Sequence, residues 1–230
     1  MCKEVRKIKE DYNYDFSRLL INENMSKDEK RKINAEIESI AEFLYKQLKN
    51  NKRINAIQKR NSWVPIITIA QYFGFQTKAG KLTDIGNITE ELAKVVSGFI
   101  SITPDNKEFF DTDKVMVINS NESQTHCRFT VAHELAHYIF DFNEKEQFSY
   151  SNTYRTDDYS DIPEEARANR FAAAILMPKK DFVKQYNEFM KQEHATYYEC
   201  IKKLSEHFFV SATAVVKRID ELKEMGLFNG

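Results

Sequence analysis

Apolar residues recur at helical spacing along most of the chain. Ile33, Ile37, Ile40, Ala41, Leu44 and Leu48 fall on one stripe, the pattern of an amphipathic helix. Ser26-Lys27-Asp28-Glu29 has the spacing of a capping box at its start, and Asn50-Asn51 suits its end. Ahead of it, residues 1–25 are mixed and charged, with Tyr12, Tyr14, Phe16, Leu19, Leu20 and Ile21 clustered, which fits either a short helix or an ordered arm. A new unit opens at Trp63-Val64-Pro65. Pro65 suits a first helical turn, Ile66, Ile69, Ala70 and Phe73 form an apolar face, and Gly74 suits the C-terminal cap. Residues 75–87 read as polar and turn-prone. Two strands are expected around 98–103 and 115–119, joined by the polar turn at Pro104-Asp105-Asn106-Lys107.

The second half is again helical. Phe129, Ala132, Ala136 and Phe140 form one apolar stripe, and Val131, Leu135, Ile139 and Phe142 form another. A helix apolar on two stripes is a buried one. Asn121 and Gln124 have capping-box spacing, so this helix is expected from there to about Asp141. A second buried helix is expected after Asp161, with Asp161 as N-cap, Glu164 closing the box and Pro163 in the first turn. Between them, residues 143–160 are polar and aperiodic and carry Tyr150, Tyr154 and Tyr159. After Met177-Pro178 a helix is expected from Asp181 to about Lys191. A final pair follows, one helix on Tyr198, Ile201, Leu204 and Phe208, the next capped by Ser211 and carrying Val215, Val216, Ile219 and Leu222.

Charge narrows the partners. Lys+Arg 34 against Asp+Glu 35 leaves a net charge of −1 over 230 residues, so no global field draws the chain to nucleic acid or acidic lipid. The last two helices have helix-turn-helix spacing. Yet the second opens Ala212-Thr213-Ala214-Val215, poor in side chains that read base edges, and its cations Lys217, Arg218 and Lys223 are matched by Asp220, Glu221 and Glu224. A structural helical hairpin is expected, with no direct nucleic-acid binding. Cys2, Cys127 and Cys200 form no Cys-x-x-Cys pair, which indicates neither a disulfide framework nor a thiolate metal site. The charged start Met1-Cys2-Lys3-Glu4-Val5-Arg6 lacks a signal peptide's apolar run, and no stretch approaches a membrane span. Cytoplasmic residence is the expectation.

The candidate chemistry lies at Ala132-His133-Glu134-Leu135-Ala136-His137, a His-Glu-x-x-His pattern. Four residues make slightly more than one α-helical turn, so His133 and His137 share a face and together suit one tetrahedral Zn²⁺. Glu134 is adjacent, where a carboxylate can serve as general base toward a water. Two histidines on an ordinary amphipathic helix are the bland alternative, but burying both without partners is unfavourable. A third ligand is sought on the second buried helix. Glu164 is explained by capping and Glu165 is not. Glu165 shares its stripe with small residues, Ala168, Asn169 and Ala172, that let a neighbouring helix approach. Arg128, Tyr138 and Tyr154 are candidates for stabilising an oxyanion or supporting the ligands, and Asn169 for orienting one.

Two blocks carry a resemblance. Arg128-Phe129-Thr130-x-Ala132-His133-Glu134-Leu135-x-His137 is followed by Glu165-x-x-Ala168-Asn169-x-Phe171-Ala172-x-x-x-Leu176-Met177-Pro178. Together they resemble the ImmA/IrrE family of metallo-endopeptidases. The resemblance implies zinc on His133, His137 and Glu165, with Glu134 as base. It also implies a bacterial or phage cytoplasmic protein that acts on a partner helix-turn-helix repressor. The expected fold is α+β: a mostly helical, zincin-like core with a small antiparallel sheet and the His-Glu-x-x-His helix. A helical N-terminal extension (1–60) would precede the peptidase domain (61–230), and a helical hairpin would end it. An edge strand would hold extended substrate by backbone hydrogen bonds. The alternative function is a zinc-containing regulator that sequesters a repressor without cutting it.

Overall fold

Capping residues fix where the helices begin. The computed structural model describes residues 3–13, 15–85, 89–142, 148–150, 162–192 and 196–228. Its helices are α1 (Lys3–Asp11), α2 (Lys27–Lys49), α3 (Lys52–Asn61), α4 (Ile66–Tyr72), α5 (Leu82–Ile85), α6 (Glu90–Val95), α7 (Gln124–Phe140), α8 (Pro163–Leu176), α9 (Lys179–Met190), α10 (Tyr197–Phe208) and α11 (Ala212–Glu224). The strands are β1 (Gln76–Gly80), β2 (Gly98–Ile102), β3 (Lys114–Asn119) and β4 (Phe148–Tyr150). At α2 the capping box is formed: Glu29 N–H donates to Ser26 Oγ at 3.3 Å, and Ser26 N–H donates to the Glu29 carboxylate at 2.8 Å. Asn50-Asn51 ends α2 as expected, but Asn51 also starts α3, its Oδ1 accepting from the N–H groups of Arg53 and Ile54.

The fold is α+β with a small zincin-like sheet, and the sheet is mixed rather than antiparallel. Its strand order is β1-β3-β2-β4; β2 runs antiparallel to β3 and β4, whereas β1 runs parallel to β3. The pair expected at 98–103 and 115–119 is present. Within the stretch 75–87, expected to be turns, Gln76–Gly80 is strand β1 and Leu82–Ile85 is α5; β1 is held in register by the long-range pairs Gln76 to Val115 through Gly80 to Asn119. Strand β3 is buried on both faces. Met116 and Ile118 join the main core, while Val115 and Val117 meet Leu82 and Val96 in a smaller cluster on the other side, the alternation that a pleated strand imposes.

Helix α7 lies between this sheet and α8, and α2 packs on α8 in turn. Val5, Ile8, Phe16 and Leu19 from the N-terminal arm belong to the same continuous core as Ile37, Leu44, Phe140 and Phe171. α7 reaches the sheet closely at Gly98, where an added Cβ would sit 2.7 Å from both the Thr130 methyl and the Val117 carbonyl oxygen.

Candidate metal centre

The start of α7 differs from expectation. Ser123, not Asn121, is the N-cap; its Oγ accepts from His126 N–H at 3.2 Å, while Asn121 N–H turns back to Asn119 Oδ1. At α8 Pro163 occupies the first turn, and the N-cap position is Ile162, without a side-chain cap. Asp161 lies outside the described residues.

Both helices aim their polar side chains into one buried spot. His133, Glu134 and His137 are at most 1% exposed and Glu165 is 5% exposed. The two imidazole Nε2 atoms are 3.0 Å apart. Glu165 Oε2 lies 3.1 Å from His133 Nε2, and its Oε1 lies 3.4 Å from His137 Nε2. Oε1 is buried and makes no hydrogen bond. An ion at about 2.0–2.1 Å from each of three tetrahedral donors needs donor separations of about 3.3 Å. The cluster has that size.

The far sides of the rings show what the near sides lack. His133 Nδ1 is 2.9 Å from Asn169 Oδ1, and His137 Nδ1 is 2.7 Å from Asp141 Oδ2. Both partners are acceptors, so both Nδ1 atoms carry the hydrogen and donate. In the neutral form of that tautomer the rings turn their Nε2 lone pairs to each other and to a carboxylate. A cation satisfies all three donors, and the residues therefore fit a divalent metal. The same demand for positive charge marks the protonation of the cluster. Burial opposes charge on His137, yet the hydrogen bond to Asp141, the Glu165 carboxylate beside it and the charges of Glu134 and Asp141 outweigh it and hold its pKa up at about 9. Burial likewise opposes the Glu165 carboxylate, but the two histidines hold its pKa down at about 2.

The other candidates divide. Asn169 is where an orienting residue belongs, on His133. It also lines a groove of about 580 Å³ with Phe129, Ala166, Ala173 and Ala214, so solvent reaches it. Arg128 is a correction: its guanidinium donates to the carbonyls of Val64 and Phe209 at 3.0 Å each and stacks on Trp63, and burial lowers its pKa to about 10. It pins α7 to neighbouring turns, and its contacts are with these carbonyls and with Trp63. Tyr138 is a second correction. It is fully buried between Phe75 and Phe142, and its hydroxyl accepts from Lys114 Nζ at 3.0 Å. Tyr154 and Tyr159 lie outside the described residues, as does the Tyr150 side chain. Sequence reasoning missed Asp141 and Arg167. Asp141 bonds His137 with one oxygen and the Arg167 guanidinium with the other. The signal was present, since Asp141 lies four residues after His137 and hence on its face.

The family model of the IrrE N-terminal-like domain, peptidase M78, matches residues 91–220. The chain belongs to this family. Peptidase M78 membership marks the matched region as a metallopeptidase-like domain, and the buried His133–His137–Glu165 cluster is compatible with a metal site. Among solved structures the chain is similar to a Mycobacterium tuberculosis transcriptional regulator, with 15% identity and a TM-score of 0.47, over 94% of this chain and 51% of that one. The chain thus spans about half the length of that protein. No curated protein matches the chain in sequence. Among the described residues no helix is long and apolar enough to cross a membrane.

Proposed function

We propose that the chain is a zinc-dependent endopeptidase that cleaves a partner helix-turn-helix repressor. The observation that carries the metal is the convergence of the two imidazole Nε2 atoms and a buried carboxylate at separations of 3.0–3.4 Å. His133, His137 and Glu165 would hold the ion. Zinc bound there supplies Lewis acidity toward a peptide carbonyl and makes an attacking water easier to deprotonate. Glu134 is the general base in this reading. Its carboxylate is fully buried beside His133, its charge acts on His137, and it takes the proton from the attacking water and returns it to the departing amine. Asn169 and Asp141 hold the imidazoles in the tautomer that leaves Nε2 free.

Family membership supports a protein substrate. The repressor, and a bacterial or phage cytoplasmic setting, rest on the resemblance to ImmA/IrrE proteins. Residues 1–60 act as an extension built onto a peptidase domain at 61–230, a reading supported by the packing of α2 on α8.

The test incubates purified, zinc-loaded protein with the repressor encoded beside its gene. A shortened repressor is expected, its formation abolished by chelator and by Glu134→Gln, with Glu134→Gln retaining zinc and His137→Ala losing it. An intact repressor held in a stoichiometric complex would instead establish the sequestering regulator, and normal turnover by Glu134→Gln would remove Glu134 from the chemistry.

A further inference from the structure

The N-terminal arm lies outside the matched residues 91–220, yet it touches the support of the metal site. Arg167, on the face of α8 turned away from Glu165's ligand oxygens, is only 4% exposed. One guanidinium nitrogen donates to the Phe16 carbonyl at 3.1 Å, and another donates to Asp141 Oδ1. Asp141 Oδ2 in turn receives the Nδ1 hydrogen of His137. An unbroken chain of charge-assisted hydrogen bonds thus runs from an arm carbonyl to a proposed metal ligand. A second anchor closes the same corner. Lys9 Nζ donates to the Phe142 carbonyl at 2.7 Å, just past the end of α7, and sits near the faces of both Phe16 and Phe142. Phe16 meets Phe140 edge-on with centroids 5.2 Å apart, and the Arg167 guanidinium lies 4.8 Å from the Phe140 ring. Residues Lys9 and Phe16 therefore wrap the last turn of α7, the turn that carries His137 and Asp141.

From this geometry we propose that Arg167 is a positioning residue for the metal site, and that the arm residues Lys9 and Phe16 complete it. The proposal rests on the metal reading above and extends it to a segment outside the matched domain. Alone, Asp141 is free to rotate away from His137 or to be hydrated. Clamped by Arg167, it has one lone pair aimed at Nδ1, which holds His137 with Nε2 bare toward the ion. Arg167 is held in its turn by a carbonyl that the arm alone supplies. Partners of this kind around a metal-bound histidine are worth about 10- to 100-fold in metal affinity.

The test uses the full chain. Arg167→Met, Arg167→Lys, Phe16→Ala and Arg170→Met are compared with wild type for Zn²⁺ affinity, by competition with a chromogenic chelator. The visible absorption of the Co²⁺-loaded proteins and the melting of the metal-free proteins are recorded alongside. Arg170→Met is the control for a lost buried arginine, since Arg170 pairs with Glu221 and Met225 on the same helix but outside the relay. Arg167→Met should weaken zinc binding by about 10- to 100-fold and shift the Co²⁺ bands. Lysine at 167 should restore part of this, because an ammonium reaches the Asp141 carboxylate or the Phe16 carbonyl but not both. Phe16→Ala, which loosens the arm and leaves the relay side chains in place, should weaken binding in the same direction by less. Arg170→Met should lower the melting temperature and leave zinc affinity unchanged. Wild-type zinc affinity and Co²⁺ spectrum in Arg167→Met would overturn the proposal, as would equal losses in Arg167→Met and Arg170→Met. Should Arg167→Met fail to fold, Phe16→Ala decides by the same two readouts. Wild-type protein that takes up no zinc would instead sink the metal reading itself.

Discussion

At the scale of single residues, the two histidines are supported unequally. His137 is held by Asp141, whose other oxygen is fixed by a buried arginine. His133 is held by Asn169, a neutral amide on the wall of an open groove. When Asn169 is replaced by alanine, water can enter the groove and accept the Nδ1 hydrogen in its place. Asn169→Ala should therefore cost zinc affinity at the low end of the usual range for such partners, about tenfold, read by chelator competition. Loss of all zinc would show that solvent cannot replace the amide. The His133–His137–Glu165 cluster was legible because a five-residue pattern places both histidines on one helical face, and because Glu165 had no capping role in the sequence while its neighbour Glu164 did. Arg128 and Tyr138 were misjudged for one reason. Adjacency to the motif in sequence says nothing about direction around a helix, and both point into packing, on Trp63 and on Phe75.

At the scale of elements, helices with local caps were readable and pairings across the chain were not. Ser26 and Ser211 act as the N-caps their spacing indicated. β1 was not readable, since a half-exposed edge strand of Gln76, Thr77, Lys78, Ala79 and Gly80 carries no alternation of its own and is defined by its parallel partner β3. α3 was hidden because Asn50 ends one helix and its neighbour Asn51 at once caps the next. The contact of β2 with α7 is the point where an element boundary becomes a constraint on the site. Gly98 sits where a Cβ would press on Thr130, one turn before His133, and on the rigid Val117 carbonyl. The threonine methyl can yield but the strand backbone cannot. Gly98→Ala should destabilise the fold by about 1–3 kcal/mol, measured by urea unfolding of the metal-free protein. A neutral or stabilising result would mean that β2 and α7 separate freely.

At the scale of the whole molecule, the C-terminal hairpin is tied to the N-terminal helices through the buried pair Glu38–Arg218. Arg218 read as one of three balanced cations of the last helix, and it is fully buried. Its guanidinium grips both oxygens of Glu38 on α2, donates twice to the Met177 carbonyl at 3.0 and 3.2 Å, and reaches Glu221 at 3.2 Å. One side chain thus joins α2, α11 and the end of α8, the helix that carries Glu165. It is also withdrawn from any phosphate, which takes one more cation from the DNA-reading alternative for α11. Removing one member of such a pair leaves a buried charge uncompensated and typically costs about 3–5 kcal/mol, whereas replacing both with apolar groups is often close to neutral. Here Glu221 and the Met177 carbonyl stay with the arginine, so Glu38→Leu should fall near the lower figure, about 3 kcal/mol. Glu38→Leu combined with Arg218→Met should recover most of that loss, because the second substitution removes the stranded charge. A double-mutant cycle by urea unfolding reads the coupling directly. If Glu38→Leu alone cost less than about 1 kcal/mol, the level of a solvent-exposed pair, the tie between the hairpin and α2 would contribute little, and α8 would have to be braced by its apolar contacts with α2 and α7 alone.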